Sequence, residues 1–452
     1  MDQVNTLRRY GLFDAKVPRY TSYPPANRFT VDTGTAHQAP WLAAVPGDEP
    51  VSLYIHIPFC RRLCWFCACR TQGTRTLGPV AAYVETLIAE VGALAHALGE
   101  GPRTMARLHL GGGTPTILSA DLMDRLLDRI FQHFTPGGDF EFSIEIDPTE
   151  AAPEVLDVLA GWGMTRASIG VQDFESRVQD AIGRQQSFEI TEGTVAYLRA
   201  QGVRSLNIDF LYGLPFQSTQ SLLRTIDRIG ALGPDRLALY GYAHVPHVSR
   251  RQVMIPNRAL PDGQARFEMS QVARERLIAM GYREIGIDHF ALPSDGLAKA
   301  AISGGLTRNF QGYTDDPCQT LIGLGASAIS KFPQGFVQNA ISTSAYTKRV
   351  KKHGLAGHKG FALSKDDRFI ATLVDKVMCF GAIHVTDIVT RFPDRRDEVL
   401  QLIDALALRF RDLVLQSPAG LEIKDGYWAA ARLIAAELDQ SLTEPMRHSA
   451  AV

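Results

Sequence analysis

The chain has 452 residues, 45% of them hydrophobic, enough for a main domain of about 250 to 350 residues with a smaller satellite. Its 47 Lys and Arg balance 48 Asp and Glu for a net charge of −1, which excludes a global field for nucleic acid or anionic membrane and points to a small-molecule partner. No run of about 18 apolar residues occurs, and the opening MDQVNTLRRYGLF lacks the apolar stretch and cleavage site of a secretory signal, so a cytoplasmic protein without a membrane span is expected.

In chain order, VSLYIHI (51–57) reads as a strand and is followed, after a cysteine-rich loop, by VAAYVETLIAEVGALAHAL, with apolar residues at helical spacing. RLHLGGG then leads to ADLMDRLLDRIFQHF, FEFSIEID to PEVLDVLAGW, RASIGVQ to FEITEGTVAYLRAQ and SLNIDFLYG to QSLLRTIDRIGAL. DRLALYGYA closes the series. Six strands alternating with helices predict a parallel sheet with crossover helices. Glu145, Asp147, Gln172, Asp209 and His244 fall at or just beyond strand C-termini, where barrel active sites are assembled, which favours an α/β fold with an incomplete (β/α)6 barrel.

From about 360 the pattern changes. KDDRFIATLVDKVMCFGAI and DEVLQLIDALALRF read as amphipathic helices, LVLQ and LEIK joined by SPAG as a hairpin, and GYWAAARLIAAEL as a last helix. This small, mainly helical region is winged-helix-like, but no basic stripe accompanies it and no nucleic-acid partner is expected. The expected organisation is an N-terminal segment over 1–48, a barrel and its extension over 49–355, a C-terminal domain over 360–440 and a disordered tail over 441–452.

Four of the six cysteines lie in PFCRRLCWFCACR (58–70). Such clustering in a long chain suits metal or redox chemistry rather than a secreted disulfide framework; the separate Cys318 and Cys379 read as small buried apolar residues. Cys60, Cys64 and Cys67 are spaced C-x3-C-x2-C, with Cys69 adding C-x-C. Structural zinc usually draws ligands from two separated pairs. Three thiolates from one loop instead suit three corners of an iron-sulfur cube whose fourth iron is left open. GGGTP (111–115), ending the second strand, permits close approach of its backbone to a ligand.

A C-x3-C-x2-C loop directly after a strand, with Phe66 before the last cysteine, resembles the signature of radical S-adenosylmethionine (SAM) enzymes. Residues 19 to 331 further resemble the oxygen-independent coproporphyrinogen III oxidase family, through RYTSYPPANRF (19–29), LYIHIPFCRRLCWFCACR (53–70), HLGGGTPTIL (109–118) and SIEIDPTE (143–150). SIGVQDFESRVQDAIGRQQS (168–187), NIDFLYGLPFQ (207–217), YGYAHVP (240–246), RNFQGYT and GLGASAISKF continue the match in order. Leu110, Pro25, Gly183 and Thr320 stand where that family commonly has Trp, Thr, Asn and an acidic residue.

The resemblance implies one 4Fe-4S cluster on Cys60, Cys64 and Cys67, with Cys69 as an extra, non-ligand cysteine of catalytic interest. It implies two SAM molecules in one cavity: Tyr54, Gly112 and Glu145 would contact the one on the cluster. Phe66, Gly113, Thr114, Gln172, Arg184, Asp209, Ala243 and Ile329 would surround the second. The implied substrate is coproporphyrinogen III, two of whose propionates become vinyl groups through a 5'-deoxyadenosyl radical. An electron donor such as flavodoxin or ferredoxin, an unidentified electron acceptor and a monomeric state complete the expectation. Arg19 and Arg28 are candidate partners for propionates; His56, His109, His244 and His247 are not assigned to metal. A diverged radical SAM paralogue, for example a methyltransferase, and a haem chaperone are the alternatives.

Overall fold

The computed structural model describes residues 3–439, so the expected tail at 441–452 lies outside the described residues. Six strands pair in parallel and in chain order: β1 (Val51–Ile57), β2 (Arg103–Gly112), β3 (Phe134–Ile146), β4 (Arg166–Gln172), β5 (Ser205–Tyr212) and β6 (Arg236–Gly241). β1 and β6 do not pair with each other, so the barrel stays open as expected. Both edges are extended by further strands, which the sequence reading, with its unspecified extension to 355, did not assign. β7 (Arg283–Ile285) and β8 (His289–Ala291) add antiparallel beyond β6. Beside β1 lie β9 (Leu321–Leu324), parallel to it, then β10 (Ile329–Phe332), β11 (Gly335–Asn339) and β12 (Gly357–Ala362), giving a 12-stranded sheet.

The two-residue period of the strands sets what faces the interior. On β4, Ala167, Ile169 and Val171 are buried in the main core, while Arg166 and Ser168 line a small polar cavity of ≈120 Å³ inside the barrel. Helix Gly78–Leu98 is apolar and long enough to cross a membrane by composition, yet Val84, Leu87, Val91 and Leu94 are buried in that same core.

This helix also carries Glu90, fully buried, which accepts from Gly325 N (2.8 Å), Asn339 Nδ2 (2.8 Å) and the Tyr346 hydroxyl (2.7 Å). It thereby ties the helix to the β9–β11 extension. Burial pushes Glu90 from 4.5 up to about 7 against those three donors. A carboxyl raised on folding contributes stability that is fully present below its unfolded value and lost as pH rises through the folded one. We therefore expect unfolding free energy to fall by about 3 kcal/mol between pH 5 and 8 on account of this group. Glu90→Gln removes that part of the slope, which parallel denaturant titrations of both proteins at the two pH values would measure.

In the C-terminal region, helix Lys365–Phe380 stops at Gly381, which adopts φ +64°. The GAI that the sequence reading placed in this helix therefore leaves it: Ala382–His384 is a strand paired with Gly420–Ile423, itself paired with Val414–Ser417 as the expected hairpin. Helix Val385–Arg391, absent from the sequence reading, follows, and Arg396–Arg409 matches its expected place. The last helix is continuous only over Ala431–Leu438, after a 3-10 turn at Trp428–Ala430. Leu7, Leu12, Tyr20 and Tyr23 share one core with Phe369, Leu373 and Ile434; the two ends of the chain thus pack together, and the Tyr20 hydroxyl donates to Asp439 (3.1 Å).

Candidate cofactor site and substrate cavity

The cysteine loop is closed at its base by a short parallel ladder, Phe59 and Cys60 against Gln72 and Gly73. The glycine loop is stapled onto it: Gly113 N donates to Ile57 O and Thr114 N to Phe59 O, both at 2.8 Å. Here glycine is a spatial requirement. A Cβ on Gly113 would meet Phe59 O at 2.5 Å and Cys60 Sγ at 3.0 Å, and one on Gly112, at φ +116°, would meet the His56 ring at 2.5 Å. Gly112 N in turn donates to Glu145 Oε2 (3.0 Å).

All six cysteines are free thiols. Cys67 and Cys69 share a hydrogen bond that lowers the Cys67 thiol and pushes Cys69 up, while burial pushes the Cys60 thiol up to about 11.

Behind the loop, the Tyr54 hydroxyl lies 2.9 Å from His56 Nδ1, and His56 Nε2 lies 3.3 Å from Arg70 O. A carbonyl only accepts, so Nε2 carries the proton and Nδ1 takes the tyrosine's. Burial lowers the His56 pKa and keeps the ring neutral. His56 thus braces the end of the cysteine loop. Burial raises the Glu145 carboxyl, but His109, 3.6 Å away, and the Gly112 N–H outweigh it and hold Glu145 below its ordinary value. Asp209 goes the other way: burial and Glu145 raise it, against donors Asn207 Nδ2 (2.7 Å) and Ser168 Oγ (3.1 Å). Glu145 and Asp209 line the small barrel cavity together.

Gln172, at φ +70°, follows a bulge in β4. Arg184 is buried and donates to Gly170 O (2.6 Å), Gln186 Oε1 and Cys64 Sγ (3.6 Å), with Asp147 Oδ2 at 3.1 Å. Gln252 Nε2 joins the carbonyls of Phe66 (2.7 Å) and Ala243 (3.1 Å). Ile329 opens β10, whose backbone crowds Gly323 of β9. Gly183, where Asn was the expectation, is at φ +66° with the Trp65 ring 2.8 Å from a built Cβ; the small residue makes room for that indole.

Beyond the barrel mouth lies a cavity of ≈750 Å³ whose walls include Cys69 and, from the C-terminal region, Trp428 and Arg432. Lys16, Arg19, Arg266, Arg274, Arg308 and Arg432 face only Glu284 and Asp288 around it. Those two carboxylates are engaged, Glu284 with Arg274 (2.7 Å) and Asp288 with His289 Nδ1 (2.6 Å). Arg308 is 7% exposed and lies over the Tyr313 ring (4.3 Å). Its Nε and Nη1, and Nε of Arg266, are buried without a hydrogen-bond partner among the described residues. Arg432 donates to Val17 O (2.7 Å) and Pro18 O (3.2 Å), and burial, with Arg19 nearby, lowers it to about 9.

Arg19 lines this cavity and donates to Gly241 O (3.1 Å). Arg28 does not: its guanidinium sits over the Phe361 ring at 5.3 Å, outside the lining. Arg266, Arg308, Arg432 and the Asp288–His289 pair were missed by sequence reasoning. Only an Asp-His dipeptide and scattered arginines mark them in the chain.

The family model for the radical SAM superfamily matches residues 54–229. Over its full 452 residues the chain is 46% identical to an oxygen-independent coproporphyrinogen III oxidase of Paracoccus denitrificans, covering 100% of both. It is 45% identical, again over 100% of both, to coproporphyrinogen III oxidase, anaerobic 1, of Cereibacter sphaeroides. The solved structure of the Escherichia coli coproporphyrinogen III oxidase, described as a radical SAM enzyme, superposes with a TM-score of 0.89 at 34% identity, covering 95% of this chain and 100% of that one. The chain therefore belongs to the oxygen-independent coproporphyrinogen III oxidases, radical SAM enzymes whose cofactors are a 4Fe-4S cluster and SAM.

Proposed function

We propose that the protein oxidatively decarboxylates two propionates of coproporphyrinogen III to vinyl groups, without oxygen, giving protoporphyrinogen IX for haem biosynthesis. The observation that carries this reading is the ≈750 Å³ cavity, which meets the cysteine loop at Cys69 and is walled by guanidinium groups. A flexible tetrapyrrole with anionic side chains needs both that space and those cations.

Cys60, Cys64 and Cys67 hold the cluster, and Cys69, on the cavity wall, stands between it and substrate. A 4Fe-4S cluster held by these thiolates, with SAM bound beside it, would supply one-electron cleavage of SAM and with it the hydrogen-abstracting power needed at a propionate β-carbon. Tyr54, Gly112 and Glu145 position that SAM; the anionic Glu145 suits an ammonium or ribose hydroxyls. A second SAM beside Phe66, Gly113, Thr114, Gln172, Arg184, Asp209, Ala243 and Ile329 is the finer reading. Asp209, held by Asn207 and Ser168, is a second carboxylate suited to ribose. Arg184 reaches a cofactor carboxylate by exchanging it for Asp147.

Arg19, Arg266, Arg308 and Arg432 bind propionates. Residues 1–48 and the domain over 360–440 close the cavity over the barrel domain of 49–355, a division supported by Arg19 and Arg432 on its walls. A flavodoxin or ferredoxin donates the electron, a separate acceptor takes the one left after each carbon dioxide departs, and the protein works as a cytoplasmic monomer.

The test is anaerobic: reconstituted protein, dithionite, SAM, coproporphyrinogen III and cell extract as acceptor, with protoporphyrinogen, carbon dioxide and 5'-deoxyadenosine quantified. Two carbon dioxides per tetrapyrrole are expected, and neither carbon dioxide nor deoxyadenosine from Cys64→Ser. Deoxyadenosine without decarboxylation would reassign the substrate, and haem retained by a protein making neither product would favour a chaperone.

A further inference from the structure

The surface around the cysteine loop differs in charge from the rest of the molecule. Residues 58–84 contain Arg61, Arg62, Arg70 and Arg75 and no Asp or Glu, and 237–261 contain Arg250, Arg251 and Arg258 and again none, in a chain whose net charge is −1. The second stretch is built onto the first. Ser249 Oγ donates to Cys67 O (2.9 Å), Gln252 Nε2 to Phe66 O (2.7 Å), and Arg251 Nη2 to Cys69 O (3.2 Å) and Thr71 Oγ1 (2.9 Å).

Their neighbours in the same turn point outward. Val248, Val253 and Met254 are 53%, 70% and 56% exposed, and Arg250 and Arg258 are exposed beside them. Phe216, also exposed, continues the patch: its N–H donates to Ala259 O (3.0 Å) and the Arg177 guanidinium lies 4.1 Å over its ring. Beneath, Ile255 is buried with Val178, Ile182 and Tyr242, and Trp65 and Phe66 of the cysteine loop pack on that cluster. Arg61 is paired with Glu150, so the excess charge rests on the other arginines. Single exposed apolar residues are ordinary; here Val248, Val253, Met254 and Phe216 lie among Arg177, Arg250 and Arg258, which outnumber the acidic Asp180 and Asp262 at the rim, a combination that suits an interface.

We propose that this patch docks a small acidic one-electron carrier protein, which delivers its electron to the cluster through the hydrogen-bonded backbone of residues 66–69. The inference rests on the reading of Cys60, Cys64 and Cys67 as cluster ligands. One face of their loop borders the substrate cavity at Cys69, so a protein-sized donor has to approach from outside. One electron leaves the carrier's reduced cofactor and enters the oxidised cluster, and no proton or other group moves. Complementary charge would speed encounter and fix orientation, and the apolar centre would supply contact.

The test uses the reconstituted full chain and a reduced flavodoxin as probe, with Arg250→Glu/Arg258→Glu and Val253→Asp/Met254→Asp as variants. Ser249, Arg251 and Gln252, which hold the loop, stay unchanged. Flavodoxin affinity by calorimetry and the rate of cluster bleaching are expected to fall about tenfold or more in each variant, with the salt dependence flattened in the charge-reversed one. Dithionite reduction and dithionite-driven deoxyadenosine formation stay within about twofold of wild type, which reports intact folding and cluster. Unchanged flavodoxin affinity and bleaching in both variants, or no salt dependence in wild type, would overturn the assignment. If decarboxylation of coproporphyrinogen fails, these readouts remain interpretable because none involves substrate.

Discussion

Replacing Arg308 by leucine is expected to raise the KM for coproporphyrinogen III by about 10- to 100-fold, the loss of one charge-assisted contact worth about 1.5–3 kcal/mol. Folding has already removed this guanidinium from water, since the residue is 7% exposed. Its Nη2 reaches Arg19 O (3.4 Å), but Nε and Nη1 are buried with no hydrogen-bond partner among the described residues, in a residue that lines the cavity. A buried donor left unmade costs free energy, and a substrate carboxylate is the group that would satisfy it. Asp288 helps to hold the guanidinium charged although burial opposes it, so binding is not expected to weaken from arginine deprotonation at neutral pH. Leucine keeps apolar contact with the Tyr313 ring and removes the two unmade donors, so the variant is expected to melt no lower than wild type. Michaelis constants together with thermal melts separate the two roles: a lowered Tm with an unchanged KM would assign Arg308 to the fold.

The same cavity marks where the sequence stopped being legible. VSLYIHI and RASIGVQ were read to the residue, because a strand buried on one face or both announces itself by its β-branched and apolar pattern, and both occupy the expected span. The cysteine and glycine loops were legible because each is contiguous and chemically unusual. The sheet extensions were not: β7 and β8 have three residues each, too few to show a period, and they exist because β6 offers an edge to β8 and β8 in turn offers one to β7. Arg19, Arg266, Arg308 and Arg432 come from four distant parts of the chain, and an arginine in isolation reads as a solvated side chain. Arg28 illustrates the converse. Its place in a matching motif made it as good a candidate as Arg19, and only the packing of Phe361 under its guanidinium separates the two. In the C-terminal region an amphipathic pattern running through Gly381 was extended into residues that the glycine's left-handed backbone turns into a strand.

Substituting alanine for Gly113 is expected to cut SAM cleavage by about 100-fold or more, with much of the loss in cluster content. The reason is spatial rather than conformational, as Gly113 is not among the residues with positive φ. The added Cβ would fall 2.5 Å from Phe59 O, 3.0 Å from Ile57 O and 3.0 Å from Cys60 Sγ. Two of these atoms are backbone, one at the end of β1 and one at the base of the cysteine loop, and both accept the hydrogen bonds that staple the glycine loop in place, from Gly113 N and Thr114 N. Relief therefore means opening the staple, which displaces Cys60 relative to Cys64 and Cys67. Overpacking at a well-packed site costs about 1–3 kcal/mol, enough to shift the loop without unfolding a protein of this size. Gly138→Ala is the control, since a Cβ there meets nothing within 4 Å. Iron content after anaerobic reconstitution and dithionite-driven deoxyadenosine formation would be measured on both. Full iron and wild-type cleavage in Gly113→Ala would mean that the two loops move independently and that their hydrogen-bonded contact does not position the cluster.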